Sequence, residues 1–324
     1  MRESDSDPRI LLVSDERFND HETGSDHPES RQRLEAVLAR LSHSYLAENL
    51  RRISPRPARL DELIQVHDEN YLMRFEEAAL SGRSYLGHPD NQMGYDSYRI
   101  ALLAAGAGLA AIDALERGEA GSAMALIRPP GHHAERTAPL GFCFINNAAV
   151  AARYWQHRHR RRRIMIIDFD AHHGNGIQAA FEEDPEVFYL SIHEHPTWNF
   201  PGTGWGEERG SGPGRGTTLN LPLPPGSGDR QVLNLLNDRV AKAVKKFAPQ
   251  AMIIAAGFDG HRDDDMSGLA YSSKLFYQLG REIAAWAAPH CPGRLLSLLE
   301  GGYQPPLLAR CLESYLLGHK LDSH

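Results

Sequence analysis

Apolar residues fall along this chain in short runs, and polar positions at helical spacing separate them. Residues 10–13, 123–127, 164–167, 187–192, 251–256 and 295–299 are largely apolar runs that read as strands, and 217–221 is a further strand candidate. The stretches between them read as helices. Over 231–247, Val232, Leu233, Leu236, Val240, Val244 and Phe247 recur at helical spacing. Residues 99–115 are rich in Ala and Leu and predict a buried helix. Leu34, Val37, Leu38 and Leu41 form the apolar stripe of a helix over 29–41. Strands alternating with helices predict an α/β protein, a mostly parallel central sheet with helices on both faces. Two segments rich in Pro and Gly, 195–216 and 222–228, lie inside that alternation and read as long loops. A single domain over 1–324 is therefore expected.

Polar residues with chemical potential are concentrated just after the strands. The run at 123–127 leads into Arg128-Pro-Pro-Gly-His132-His133, and the run at 164–167 into Asp168, Asp170 and His172. The run at 187–192 leads into His193-Glu-His195, the run at 251–256 into Asp259 and His261, and the run at 295–299 into Glu300-Gly-Gly-Tyr303. In open α/β sheets ligands bind at the carboxyl ends of the strands. That concentration is the main reason to expect an enzyme.

Composition narrows the picture. The chain has 324 residues, 41% of them hydrophobic, and a net charge of −7, so it has no global attraction for nucleic acid or an anionic membrane. Cys143, Cys291 and Cys311 are odd in number and far apart, which suggests a reducing compartment and no disulfide framework. Residues 1–8 are polar and acidic and do not read as a signal peptide. No apolar run is expected to approach the roughly 20 residues that cross a bilayer. A soluble, cytoplasmic protein is expected. The basic run at 156–163 reads as a solvated connector after a helix C-terminus rather than a nucleic-acid contact.

The acidic and imidazole cluster calls for a cation. Side chains alternate along a strand, so Asp168, Asp170 and His172 share a face if the chain stays extended there. Buried carboxylates are costly without a positive partner. Asp170 and His172, with Asp259 as the best third ligand, suit Zn²⁺, and Fe²⁺, Co²⁺ or Mn²⁺ fit the same donors. Such a site lowers the pKa of water from about 15.7 to about 7. One of His132 and His133 would serve as general base and the other as an electrostatic partner. Tyr303 would donate a hydrogen bond to an oxyanion. Phe142 and Phe200 either wall an apolar tunnel or simply pack in the core.

Six segments then carry a resemblance that covers nearly the whole chain. They are His27-Pro-Glu-Ser-Arg-Gln-Arg33, Arg128-Pro-Pro-Gly-His-His-Ala134, Gly141-Phe-Cys-Phe-Ile-Asn-Asn147, Asp168-Phe-Asp-Ala-His-His-Gly-Asn-Gly176, Gly257-Phe-Asp-Gly-His-Arg-Asp-Asp264 and Glu300-Gly-Gly-Tyr303. Together they resemble the histone deacetylase family, which also includes acetylpolyamine amidohydrolases and acetoin-utilisation proteins. The Pro-Pro-Gly-His-His and His-His-Gly-Asn-Gly forms look most like the class II and bacterial amidohydrolase branch. The resemblance implies the three-layer arginase/deacetylase fold and zinc-dependent hydrolysis of an N-acyl-lysine or a related acyl-amine.

By that resemblance Asp170, His172 and Asp259 hold zinc, His133 is the general base and acid, His132 its electrostatic partner, and Asp168 a hydrogen-bond partner of His132. Tyr303 polarises the substrate carbonyl. Potassium is implied at Asp168, Asp170, His172, Ser191 and Ile192, and again at Phe181, Asp184, Val187 and Thr217. Phe142 and Phe200 match tunnel walls, beside Gly141; Arg33 matches an arginine of an internal cavity. Asn175 stands where class I relatives carry Asp, which weakens the ionic partner of His133. Met266 lies near where a polyamine-selective relative carries a glutamate, and this leans against polyamine selectivity. An acetylpolyamine amidohydrolase and a non-catalytic ligand-binding member remain rival readings. The expected partner is an acylated peptide, protein or small acyl-amine, with no membrane or nucleic acid; self-association is left open.

Overall fold

The computed structural model of the chain describes residues 10–319, so the reading of residues 1–8 lies outside the described part. Eight strands form one sheet: β1 Ile10–Val13, β2 Leu50–Ile53, β3 Ser122–Ala125, β4 Ile164–Asp168, β5 Val187–Glu194, β6 Thr218–Leu223, β7 Ala251–Ala256 and β8 Leu295–Leu299. The order is β2-β1-β3-β8-β7-β4-β5-β6, and every pairing is parallel. Every residue of β4, β7 and β8 is buried, as expected of parallel strands covered on both faces. Seven strands fall on the predicted runs. β6 continues through Pro222 and Leu223, so the second loop starts later than its composition suggests. β2 is the unpredicted strand. It lies at the sheet edge with Arg51 and Arg52 exposed, a charged edge of the kind that discourages further pairing.

Helices cover the sheet. Ser97–Glu116 packs on β1, β3 and β8, and Asn147–His159 on β4 and β7. Ser273–His290 packs on β7 and against Pro305–Gly318, which in turn carries Gln32–Ser42. Ser97–Glu116 is long and apolar enough to cross a membrane by length and composition, which corrects the expectation of no such run. Here most of it is buried inside the protein as a core helix. The predicted helix over 231–247 is three pieces end to end: Asp229–Leu235, a wider π-turn Leu236–Val240, and Ala241–Phe247.

The basic run is a connector tied down by acids. Arg161 pairs with Glu116 at 2.6 Å, His159 lies 2.9 Å from Asp113, and Arg162 pairs with Glu186.

Candidate active site

The five strands that lead into polar motifs are β3, β8, β7, β4 and β5, and they are neighbours in the sheet. Parallel pairing aligns their carboxyl ends, so the five motifs meet at one edge.

The strand β4 stops at Asp168, so Asp170 and His172 do not converge by strand alternation. Short side-chain turns bring them together instead. Asp168 Oδ1 accepts the Asp170 N–H at 3.1 Å, and Asp170 Oδ1 accepts the His172 N–H at 2.9 Å. Asp259 reaches across from β7, its Oδ1 accepting the Ala171 N–H at 2.9 Å. His172 Nδ1 lies 3.0 Å from both Asp170 Oδ1 and Asp259 Oδ2. One ligand atom from each of these three buried residues falls within 4.8 Å of the others. His172 Nε2 lies 3.1 Å from the Met266 carbonyl oxygen. Burial opposes a charge on His172, but Asp259 and Asp170 outweigh it and raise the imidazole well above 6.5; a cation held by the trio would take the place of the Nδ1 proton. Met266 thus meets the site through its main chain. On the other side Asp170 Oδ2 accepts the Gly301 N–H at 2.8 Å. A Cβ at Gly301 would stand 2.2 Å from Asp259 Oδ2, so only glycine lets the β8 loop approach.

His132 and His133 lie side by side with ring centroids 3.9 Å apart, but their surroundings differ. His132 Nδ1 is 3.2 Å from Asp168 Oδ2, which also accepts from Tyr189 Oη at 3.0 Å. Burial opposes a charge on His132, but Asp170 and Asp168 outweigh it and raise the imidazole to about 10. His133 moves the other way. Burial, with the charges of His132 and His172, pushes it well below 6.5. Its Nδ1 donates to Asn175 Oδ1 at 2.8 Å, so Nε2 keeps its lone pair. Asn175 Nδ2 in turn donates to Glu135 Oε1 at 2.8 Å. The acid missing at position 175 is thus present one bond further back. Two adjacent histidines driven apart in charge are an acid/base arrangement.

Aromatic rings frame the pair. Phe200 meets His133 edge-on at 4.9 Å, and Phe142 packs against His27 at 4.7 Å and Tyr303 at 5.7 Å. Gly141 and Phe142 both have positive φ, 52° and 69°. A phenylalanine there is strained and needs support. Buried Asn91 supplies it, Oδ1 accepting the Phe142 N–H at 3.0 Å. A Cβ at Gly141 would fall 2.4 Å from the His133 ring and 2.9 Å from Phe200. Glu194 links the Phe200 and Met266 loops by accepting from Asn199 Nδ2 and from the Gly268 N–H, both at 2.8 Å.

Tyr303 is held from behind. Asp264 Oδ2 accepts its N–H at 2.7 Å. Arg33 is fully buried; it donates to the Gly302 oxygen at 2.7 Å and to the Glu300 oxygen, and lies 5.0 Å over the Tyr303 ring. Glu29 anchors Arg33 at 3.0 Å and Arg128 at 2.6 Å. Burial works against the Glu29 charge, but the two guanidiniums hold its carboxyl far below the usual range. Glu29→Gln leaves two buried cations short of their anion. It is expected to cost about 3–5 kcal/mol, read as a lower midpoint in urea unfolding. An unchanged midpoint would show that the network carries no stability.

The residues of the two other groups lie on β4, β5 and the segments that flank them. Ser191 pairs in register with Asp168, with Ile192 next on the same strand; Ser191 Oγ bonds His193 Nδ1 at 2.7 Å. Thr217 Oγ1 donates to the Asp184 oxygen at 3.3 Å and the Asp184 N–H to the Phe181 oxygen at 3.0 Å; Val187 begins β5 just beyond. Glu29, Asn91, Arg128, Glu135, Glu194 and Asp264 went without a role in the sequence reading. Most of their partners lie far away in the chain, and the local signals are Glu29 four residues before Arg33 and Glu194 five before Asn199.

Comparison with known proteins agrees with this geometry. Residues 27–318 match the histone deacetylase domain model. Histone deacetylase 10, chloroplastic, of Oryza sativa subsp. japonica is 39% identical over 86% of this chain, which spans 66% of that protein. The histone deacetylase-like amidohydrolase of Pseudomonas aeruginosa is 36% identical over 89% of this chain and 74% of its own. The crystal structure of HDA15 HD domain superposes with a TM-score of 0.89 at 30% identity, covering 96% of this chain and 90% of that one. The all-parallel eight-stranded sheet is that of the arginase/deacetylase fold. With fold, motif order and sequence in agreement over nearly its full length, the chain belongs to the histone deacetylase family.

Proposed function

We propose that this family member is a zinc-dependent deacylase that hydrolyses the amide of an N-acyl-lysine or a related acyl-amine. The observation that carries the reading is the histidine pair, one ring bonded to Asp168 and the other to Asn175, set beside a buried Asp170, His172 and Asp259 trio. The donors suit zinc: two carboxylate oxygens and one imidazole nitrogen, with the second nitrogen of His172 held by a backbone carbonyl. Bound there, zinc would supply Lewis acidity toward the carbonyl and toward water. Fe²⁺ or Co²⁺ would satisfy the same donors, and potassium belongs to the same reading at the two Ser191 and Thr217 sites.

The chain's own groups divide the work. Neutral His133 takes a proton from the attacking water at Nε2 and returns it to the leaving amine. His132, held charged by Asp168, stabilises the negative charge that develops. Tyr303 donates a hydrogen bond from its hydroxyl to the carbonyl oxygen as that oxygen becomes anionic. Phe142 and Phe200 line the approach of an apolar acyl-lysine stem.

The test is a panel of lysine peptides bearing acyl groups of increasing length, run beside acetylspermidine, before and after dialysis against a chelator. Peptide turnover is expected, lost after dialysis and restored by zinc. Turnover untouched by chelation would contradict the metal, and turnover of acetylspermidine alone would move the substrate to polyamines.

A further inference from the structure

Directly beneath the histidine loop lies a second buried group with metal-binding chemistry. One ligand atom each from His132, Cys143 and Glu300 falls within 4.8 Å of the others, and all three residues are buried. None of them belongs to the Asp170, His172 and Asp259 trio.

Each donor has a reason to be available. Glu300 Oε2 accepts the Gly131 and His132 N–H groups at 2.7 and 3.1 Å, which fixes the carboxylate. Its Oε1 is buried and has no hydrogen-bond partner among the described residues. A buried carboxylate oxygen left in that state is costly unless a cation or donor reaches it. His132 Nδ1 faces Asp168, so Nε2 is the nitrogen left for another partner. The Cys143 sulfur has only weak contacts, donating to the Gly141 oxygen at 3.3 Å and accepting from the His133 backbone N–H. Thiolate, imidazole and carboxylate together select soft divalent ions of the zinc kind over calcium or magnesium.

We propose that His132 Nε2, Cys143 Sγ and Glu300 form a second cation site, selective for thiophilic divalent metals and adjacent to the first. His132 Nε2 stands 3.9 Å from Asp170 Oδ1, so the two sites share an edge. Binding displaces the thiol proton of Cys143 and the proton on His132 Nε2. Asp168 and Asp170 then offset the added positive charge. The cation would also withdraw His132 from the role given above; that consequence rests on the deacylase reading, whereas the binding itself does not.

Cadmium alone is the probe, because thiolate ligation of cadmium gives an ultraviolet charge-transfer band. Titrating the full chain is expected to produce that band in wild type and in Cys291→Ala, and to abolish it in Cys143→Ala. Anomalous diffraction from a cadmium-soaked wild-type crystal is expected to show two peaks, one within each trio. A peak within Asp170, His172 and Asp259 alone would overturn the second site and leave the first standing. A band that survives Cys143→Ala would also overturn it. The wild-type map decides the matter even if the Cys143 variant does not fold.

Discussion

Replacing Tyr303 with Phe is expected to lower turnover about 10²–10³-fold while leaving the metal content unchanged. The ring would stay, and with it the Arg33 contact at 5.0 Å and the Phe142 contact at 5.7 Å. The Asp264 hydrogen bond to the Tyr303 N–H does not involve the side chain at all. Only the hydroxyl disappears. Burial, with Asp259 and Asp170 adding to it against the opposing Arg33, holds this phenol well above its usual pKa, so it remains a donor throughout the working range. The loss should appear in kcat and kcat/KM alike, because the bond tightens only as the carbonyl oxygen gains charge. Metal analysis together with kinetics on an acyl-lysine peptide checks it, and undiminished turnover would remove Tyr303 from the reaction.

His133→Ala should cost about 10²–10⁴-fold, the usual contribution of a positioned base. Its pH signature separates it from a structural loss. A base works unprotonated, so its contribution falls as pH drops through its pKa. Burial and the neighbouring His132 place that pKa well below 6.5. Wild-type kcat/KM should therefore stay level from neutral pH down past 6.5 and bend only at more acid values. Asn175→Asp puts an anion where a neutral oxygen now accepts at 2.8 Å, which favours the imidazolium and should move that bend upward. A bend that stays in place in Asn175→Asp would show that another group sets the acid limb.

Much of this architecture can be read from residue order, because buried parallel strands are nearly continuous apolar runs. β4, β7 and β8 are of this kind. β2 escaped because Leu50-Arg-Arg-Ile is four residues long, charged in the middle and half exposed at the sheet edge. The π-turn at Leu236–Val240 escaped because one extra residue per turn scarcely alters the apolar spacing. The convergence of five strand ends was legible, since parallel strands share a direction. The supports were not. Asn91 holds Phe142 from 51 residues away, and Arg128 reaches Glu29 across 99. No local pattern records such a pairing, because it depends on which strands become neighbours. Alternation along a strand predicts that Asp170 and His172 share a face with Asp168, whereas turns at Asp168 and Asp170 are what bring them together.

The order of the sheet has a consequence for how the protein is made. Among the described residues β8 is the last strand in chain order, yet it stands between β3 and β7 and joins them. Until it emerges, the nascent chain consists of two half-sheets with open, apolar flanks. Such flanks invite pairing with other chains. The final strand works as a keystone: its arrival closes both flanks and delivers Glu300 and Tyr303 to the other motifs in one event. A ribosome that stalls shortly before residue 295 would therefore release a sticky fragment in place of a partly working enzyme.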